Sequence, residues 1–227
     1  MTHQTTLSPH PLAPWPIADE WLLDYASGSA PEAVSVLVAS HLELCAEARA
    51  TLARLEAVGG ALLEELPPAG LSPASIEAVF ARLDGLAQEA PPRAPAAATL
   101  PRALAPYLPH GLDGLTWKNA GRGFEEASLG RHGRHAMSLL RARDGGRVPT
   151  HSHTGTEFLL VLDGAFRDER AHYARGEVCV GDADTLHTPT VERGTHCLCL
   201  VVDDGTVRLP GLAGRLLNPL LRWKASR

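Results

Sequence analysis

Gly145-Gly146-Arg147-Val148-Pro149-Thr150-His151-Ser152-His153-Thr154-Gly155-Thr156-Glu157-Phe158-Leu159-Leu160-Val161-Leu162-Asp163-Gly164 is the stretch on which the fold turns. Read as one strand over 151–162, it alternates its side chains between two faces. His151, His153 and Glu157 share one face, and Phe158, Leu160 and Leu162 point to the other. Two imidazoles and a carboxylate so placed are three metal ligands, and His187, thirty residues after Glu157, offers a fourth. Such a donor set suits Zn first, with Fe, Mn, Ni or Cu as alternatives that the ligands do not separate.

The glycine frame around these ligands reads Gly145-x5-His151-x-His153-x3-Glu157-x6-Gly164, which resembles the first motif of the cupins without a departure. The resemblance implies an antiparallel β-barrel of cupin, or jelly-roll, type with the metal inside. The second motif is less complete. Gly176 and His187 stand in place, but Asp182, Asp184 and Val191 occupy positions where cupins usually carry Pro, Gly and Asn. The competing view, exposed loop histidines in a chain with eleven His, gives no reason for the regular glycines that tight strand turns require.

Outward from this stretch the chain changes character. Residues 19–89 are rich in Ala, Leu and Glu at helical spacing, whereas 104–205 are rich in Gly, Val and short alternating runs. The class expected is therefore α+β and multidomain: a flexible leader over 1–18, a helical bundle over 19–89, a Pro/Ala linker over 90–103, and the barrel over 104–227. Asp19 is expected to cap a short helix ending near Gly28, and Pro31 to open a longer one carrying Val34, Leu37, Val38, His41 and Cys45. A third helix runs through Leu52, Leu55 and Leu62 and is expected to bend at Gly59-Gly60. Ser72-Pro73 starts a fourth, whose Ile76, Val79, Phe80, Leu83 and Leu86 form one apolar stripe that needs a partner surface. Strands are expected around Trp117, 124–129, 136–141, 176–180 and 195–201.

Net charge is −5 with no Lys/Arg block, which argues against direct nucleic-acid binding through a basic face. No apolar signal core lies in the first thirty residues and no run of eighteen apolar residues occurs anywhere, so neither export nor a membrane span is expected and the chain is placed in the cytoplasm. The four cysteines, Cys45, Cys179, Cys197 and Cys199, form no disulfide framework. Cys197 and Cys199 are expected to face one side of one strand, near Cys179 if the strands pair as in a cupin. With no basic neighbour in view to lower a thiol pKa, barrel-core packing is favoured over a redox role.

His41 and Cys45, four apart on one helix face, can reach one metal. Together with Ser40-His41-Leu42-Glu43-Leu44-Cys45, Glu32-Ala33-Val34-Ser35, Ala57-Val58-Gly59-Gly60-Ala61-Leu62-Leu63-Glu64-Glu65, the run Leu162–Glu169 and His187-Thr188-Pro189, they make the chain from about Asp19 to Asp203 similar to ChrR-type anti-sigma factors. That resemblance implies a zinc-binding helical domain that wraps an extracytoplasmic-function (ECF) sigma factor, joined to a cupin domain that responds to an oxidative signal. Such proteins hold the helical-domain zinc with His-x3-Cys-x2-Cys and an upstream histidine. Here His41 and Cys45 stand in place, but Ala48 and Pro16 occupy the other two positions, which leaves a second zinc poorly supplied with ligands. His3 or His10 could return a third. The function implied is transcription regulation by sigma-factor inhibition, without catalysis. The alternatives are a cupin dioxygenase using iron in the same four ligands and a small-molecule sensor whose barrel holds a ligand.

Overall fold

The computed structural model describes residues 17–84, 100–121, 123–211, 214 and 218. Pro16, His3, His10, Leu86 and the Pro/Ala run at 90–98 lie outside the described residues. The chain divides into one unit of Met1–Leu55 with Leu100–Arg227 and a second of Glu56–Thr99. The first two helices therefore belong with the barrel.

In the larger unit, α1 (Asp19–Ala26) and α2 (Glu32–Leu44) come first. Ala18 stands at the N-cap of α1 without a side-chain cap, and Asp19 lies inside the first turn beside Glu20, where carboxylates meet the positive end of the helix dipole. The turn after α1 passes through Gly28 at φ 73°, a left-handed conformation that favours glycine. Pro31 stands at the N-cap of α2. Ala33, Val34, Leu37, Val38, His41 and Leu42 are buried, a stripe at 3- and 4-residue spacing. It enters one core with Leu139, Phe158, Leu160, Leu162 and Leu200 from the barrel. Each such aliphatic or aromatic side chain contributes roughly 1.5–3 kcal/mol by leaving water.

The β region comprises β1 (Lys118–Gly121), β2 (Phe124–His132), β3 (His135–Arg143), β4 (Ser152–His153), β5 (Glu157–Arg167), β6 (His172–Ala174), β7 (Val178–Gly181), β8 (His196–Asp203) and β9 (Val207–Arg208). All pairings are antiparallel. The main sheet runs β1-β2-β3-β8-β5-β6, with β7 also on β5, and β4 pairs with β9 in a separate two-stranded ladder. Strand β5 is buried on both faces. Its Phe158, Leu160 and Leu162 face the helices, with Phe158 edge-on to Trp21 at 4.8 Å. Leu159 and Val161 belong to a second core with Phe124, Phe166, Cys179, Cys197 and Cys199.

One strand over 151–162 is not what forms: β4 ends at His153 and β5 begins at Glu157. The reason is distant in sequence. The Asp204 carboxylate accepts from the Thr156 amide at 2.7 Å, the Thr154 amide donates to the Thr206 carbonyl at 2.9 Å, and the Thr206 amide donates to Thr154 Oγ1 at 2.9 Å. A Cβ on Gly155 would lie 2.2 Å from that carboxylate, so the turn needs glycine. At the far end of β5, Gly164 has φ 73° and a Cβ there would meet the His196 carbonyl at 1.9 Å.

In the smaller unit, the latter part of α3 (Ala46–Glu64) continues through Gly59-Gly60 as helix, although each glycine costs about 1 kcal/mol against alanine; the expected bend leaves no break. α4 (Pro73–Asp84) starts where Ser72-Pro73 signals.

Candidate metal centre

Three loops and strand ends deliver the four predicted donors to one point. The backbones of His151 and His187 bond to each other in both directions at 3.0 Å, and the His153 amide donates to the Asp182 carbonyl at 3.1 Å. Glu157 opens β5. The donor atoms of His151, His153, Glu157 and His187 all lie within 4.8 Å of one another. His187 Nε2 stands 3.2 Å from His151 Nε2 and 3.3 Å from His153 Nε2, and His153 Nε2 is 3.3 Å from Glu157 Oε2.

The ring tautomers decide what this cluster can hold. His151 Nδ1 lies 2.8 Å from the Pro149 carbonyl, which can only accept. His187 Nδ1 lies 3.3 Å from the buried Asp168 carboxylate. Both Nδ1 atoms therefore carry a proton, and with the rings neutral both Nε2 atoms present lone pairs to each other at 3.2 Å. Such a face-off is repulsive until a cation sits between the rings, and imidazoles oriented by a carbonyl or carboxylate behind them are the common arrangement around bound metals. The residues present fit a metal ion.

Electrostatics agree. Burial, reinforced by the neighbouring His151 and His187, pushes His153 down to about 3, and burial also lowers His151. Burial, with Asp203 and Glu126 nearby, pushes Glu157 up to about 8. Although His153 and Glu157 have the spacing of an ion pair, both shifts point to a neutral pair, a protonated Glu157 beside an uncharged His153. A divalent cation would reverse this by drawing off the Glu157 proton. A cavity of about 240 Å³ opens over the cluster, lined among others by Phe124, Leu140, Leu159, Glu126 and Asp203.

Two contributors escaped the sequence reading. Asp168 has no exposed side-chain surface. Burial alone would raise its pKa, but the bonds from His187, from the amides of Arg170 and Ala171 and from the Arg170 guanidinium outweigh it and hold the carboxyl ionised, well below the usual range. Arg170 reaches Asp168 at 3.2 Å and Cys179 Sγ at 3.0 Å. Cys179, in one core with Cys197 and Cys199, thus does have a basic neighbour. Burial nevertheless prevails over the Arg170 charge and pushes that thiol up to about 12. Cys197 and Cys199 are buried with their sulfurs 3.4 Å apart, and their own hydrogen bond followed by burial raises Cys199 well above the ordinary thiol value.

His41 and Cys45 are placed differently. Among the described residues they join no group of three or more converging donors. His41 Nδ1 donates to the Gly176 carbonyl at 2.8 Å, and its Nε2 accepts from the Ile17 amide at 3.3 Å. Cys45 Sγ accepts from the Ala48 amide at 3.5 Å, and both residues are buried. Two donors, one with both ring nitrogens already engaged, do not fit a four-ligand zinc.

Residues 111–206 match the ChrR cupin-like domain model, a span that holds all four barrel donors. Over 206 residues the chain is 39% identical to the anti-sigma-E factor ChrR of Cereibacter sphaeroides, covering 91% of this chain and 97% of that protein. This chain belongs to the ChrR anti-sigma factor family. The crystal structure of Rhodobacter sphaeroides SigE in complex with the anti-sigma ChrR superposes with TM-score 0.71 at 42% identity, over 84% of this chain and 98% of the ChrR chain. Helices come first in this chain, and the antiparallel strands that follow fall within the matched cupin-like domain. No described helix is long and apolar enough to cross a membrane.

Proposed function

We propose that this chain is an anti-sigma factor that binds and inhibits an ECF sigma factor through its helices and responds to an oxidative signal through the metal centre of its barrel. The observation that carries the reading is the apolar face of the smaller unit. Val58, Leu62, Leu66, Ile76, Val79, Phe80 and Leu83 are each more than half exposed. A surface helix with its apolar stripe in water marks a protein interface, and the ChrR of the similar crystal structure is held in a complex with SigE. Helix-in-groove docking of the α4 stripe suits such a partner. The net charge of −5 suits a protein partner better than a nucleic acid.

His151, His153, Glu157 and His187 would hold the ion, with Zn as the metal proposed. Zinc bound there supplies a redox-inert positive centre that fixes the four donors and lowers the proton affinity of each. The chain's own residues do the rest: Pro149 and Asp168 orient two of the rings, and the buried walls of the cavity limit water. Loss of the ion would return the centre to facing imidazole nitrogens, a local change with a packing consequence. No turnover is assigned to the site.

The test is co-expression of the full chain with an ECF sigma factor of the same genome, followed by purification and a transcription assay. A stoichiometric, transcriptionally silent complex that Phe80→Asp abolishes is expected. If the full chain leaves every such sigma factor free and active, the reading is wrong.

A further inference from the structure

The half-kept ligand pair, His41 in α2 and Cys45 at its C-cap, has acquired another use. His41 has none of its surface in solvent, and its ring spans two parts of the unit: Nδ1 donates to the Gly176 carbonyl at 2.8 Å, while Nε2 accepts from the Ile17 amide at 3.3 Å. Every hydrogen-bonding capacity of a neutral imidazole is used. Where a second cysteine would be needed there is Ala48, buried with Ile17, Leu22, Val38, Leu42 and Cys45 in one apolar core. Gly176 meets the helix closely. Its φ is +91°, and a Cβ on it would stand 3.2 Å from Leu44 Cβ, so only glycine lets the turn sit against the end of α2.

That same turn leads directly to the metal centre. Gly176 is fixed to β5 by the hydrogen bond its amide donates to the Val161 carbonyl at 2.8 Å. From Val178 the chain enters β7, four residues long and paired with β5, and ends at Gly181. A Cβ at Gly181 would lie 3.1 Å from His153 Cδ2 and 3.7 Å from His187 Cε1. Between them, Cys179 touches Arg170, which holds Asp168 behind His187. One short strand thus has the His41 contact at one end and two of the metal donors at the other.

We propose that His41 is a metal-free clasp joining α2 to the barrel at Gly176, and that β7 carries the occupancy of the barrel centre to it, so that the chain binds one metal ion rather than two. The clasp does for the helices, with two hydrogen bonds and an apolar core, what a bound ion does in a ligand-complete domain. It also makes the helices answer to the barrel: rings drawn together by an ion fix Gly181, β7 and the carbonyl that His41 holds.

The proposal rests on a metal at the barrel centre, and the experiment separates the two. Full-length protein, its His41→Gln and His41→Leu variants and a His151→Ala variant are loaded with excess Zn, desalted and assayed for bound metal, and amide exchange is followed by mass spectrometry with and without the ion. One equivalent is expected in the wild type and in both His41 variants, and none in His151→Ala. Loading should slow exchange at residues 41–45 by about fivefold, the worth of one buried hydrogen bond. His41→Gln, which can still donate to Gly176, should keep that slowing and His41→Leu should lose it. Two equivalents falling to one in His41→Gln would overturn the clasp. Exchange at 41–45 indifferent to loading would overturn the coupling. No bound metal in the wild type would remove the barrel centre of the proposed function and the coupling with it.

Discussion

Metal binding at the barrel centre should release a proton, and Glu157 fixes how many and at what pH. In the metal-free protein burial, Asp203 and Glu126 hold Glu157 near 8, whereas burial keeps His153 near 3 and lowers His151. At pH 7 a carboxyl with that pKa is about 90% protonated and at pH 9 about 10%. Binding a divalent ion should therefore expel about 0.9 proton at pH 7 and about 0.1 at pH 9. Affinity should rise nearly tenfold per pH unit below 8 and level off above it, so the pH 7 value lies about 1.4 kcal/mol short of the plateau. The stability of the metal-free protein runs the other way. Its folded state holds the Glu157 proton between the ordinary carboxyl range and pH 8 while the unfolded chain does not, so stability is greatest at the acid side of that window and is lost as pH rises through it. Calorimetric titration of Zn in two buffers of different ionisation enthalpy, at pH 7 and 9, counts the protons directly. Release of none at pH 7, with an affinity flat from pH 6 to 8, would refute a neutral buried Glu157 as ligand.

Asp168→Asn should weaken Zn binding by about 10- to 100-fold in a chelator competition, since an amide cannot fix the His187 proton on Nδ1 and leaves Arg170 without its carboxylate; unchanged affinity would deny Asp168 its part in orienting the ring. Phe80→Asp should cut sigma-factor affinity by about 30-fold or more, because Phe80 is 61% exposed, yet move stability by no more than about 0.5 kcal/mol. A large fall in Tm would instead make it a core residue. Leu160→Ala, at a position without solvent exposure, should cost about 3 kcal/mol, or roughly 6–12 °C in Tm. Gly164→Ala should prove at least as severe, since the new Cβ meets a carbonyl at 1.9 Å in left-handed backbone.

The barrel was legible because its signals are local. The glycines of the first motif mark turns, and the alternation from Phe158 to Leu162 correctly separates a face toward the helices from one toward the barrel interior. Helices α1, α2 and α4 were equally plain from apolar spacing and from Pro31 and Pro73. The break between β4 and β5 was not. Alternation over 151–162 is satisfied by one strand, and the group that interrupts it, Asp204, stands 48 residues from the Thr156 amide it binds. The separation of α1 and α2 from the rest of the helical region was hidden for the same reason. A helix stripe reveals that it needs a partner without revealing whether that partner is another helix or the outer face of β5.

The metal centre shows where sequence reasoning stops. Spacing names His151, His153, Glu157 and His187, because ligand identity is a property of residue types in a frame. It does not say which nitrogen of each ring faces inward, and that is what makes the cluster a cation site rather than a knot of neutral imidazoles. Asp168 and Pro149 decide it. One is a carboxylate nineteen residues before the histidine it serves and the other a backbone carbonyl, which no motif records. His41 makes the converse case. Its spacing to Cys45 is a ligand spacing, and its actual partners, the Gly176 carbonyl and the Ile17 amide, are backbone groups that no side-chain pattern records. A motif read from side chains alone marks where a metal can be held, and the main chain around it determines whether the lone pair is free to hold one.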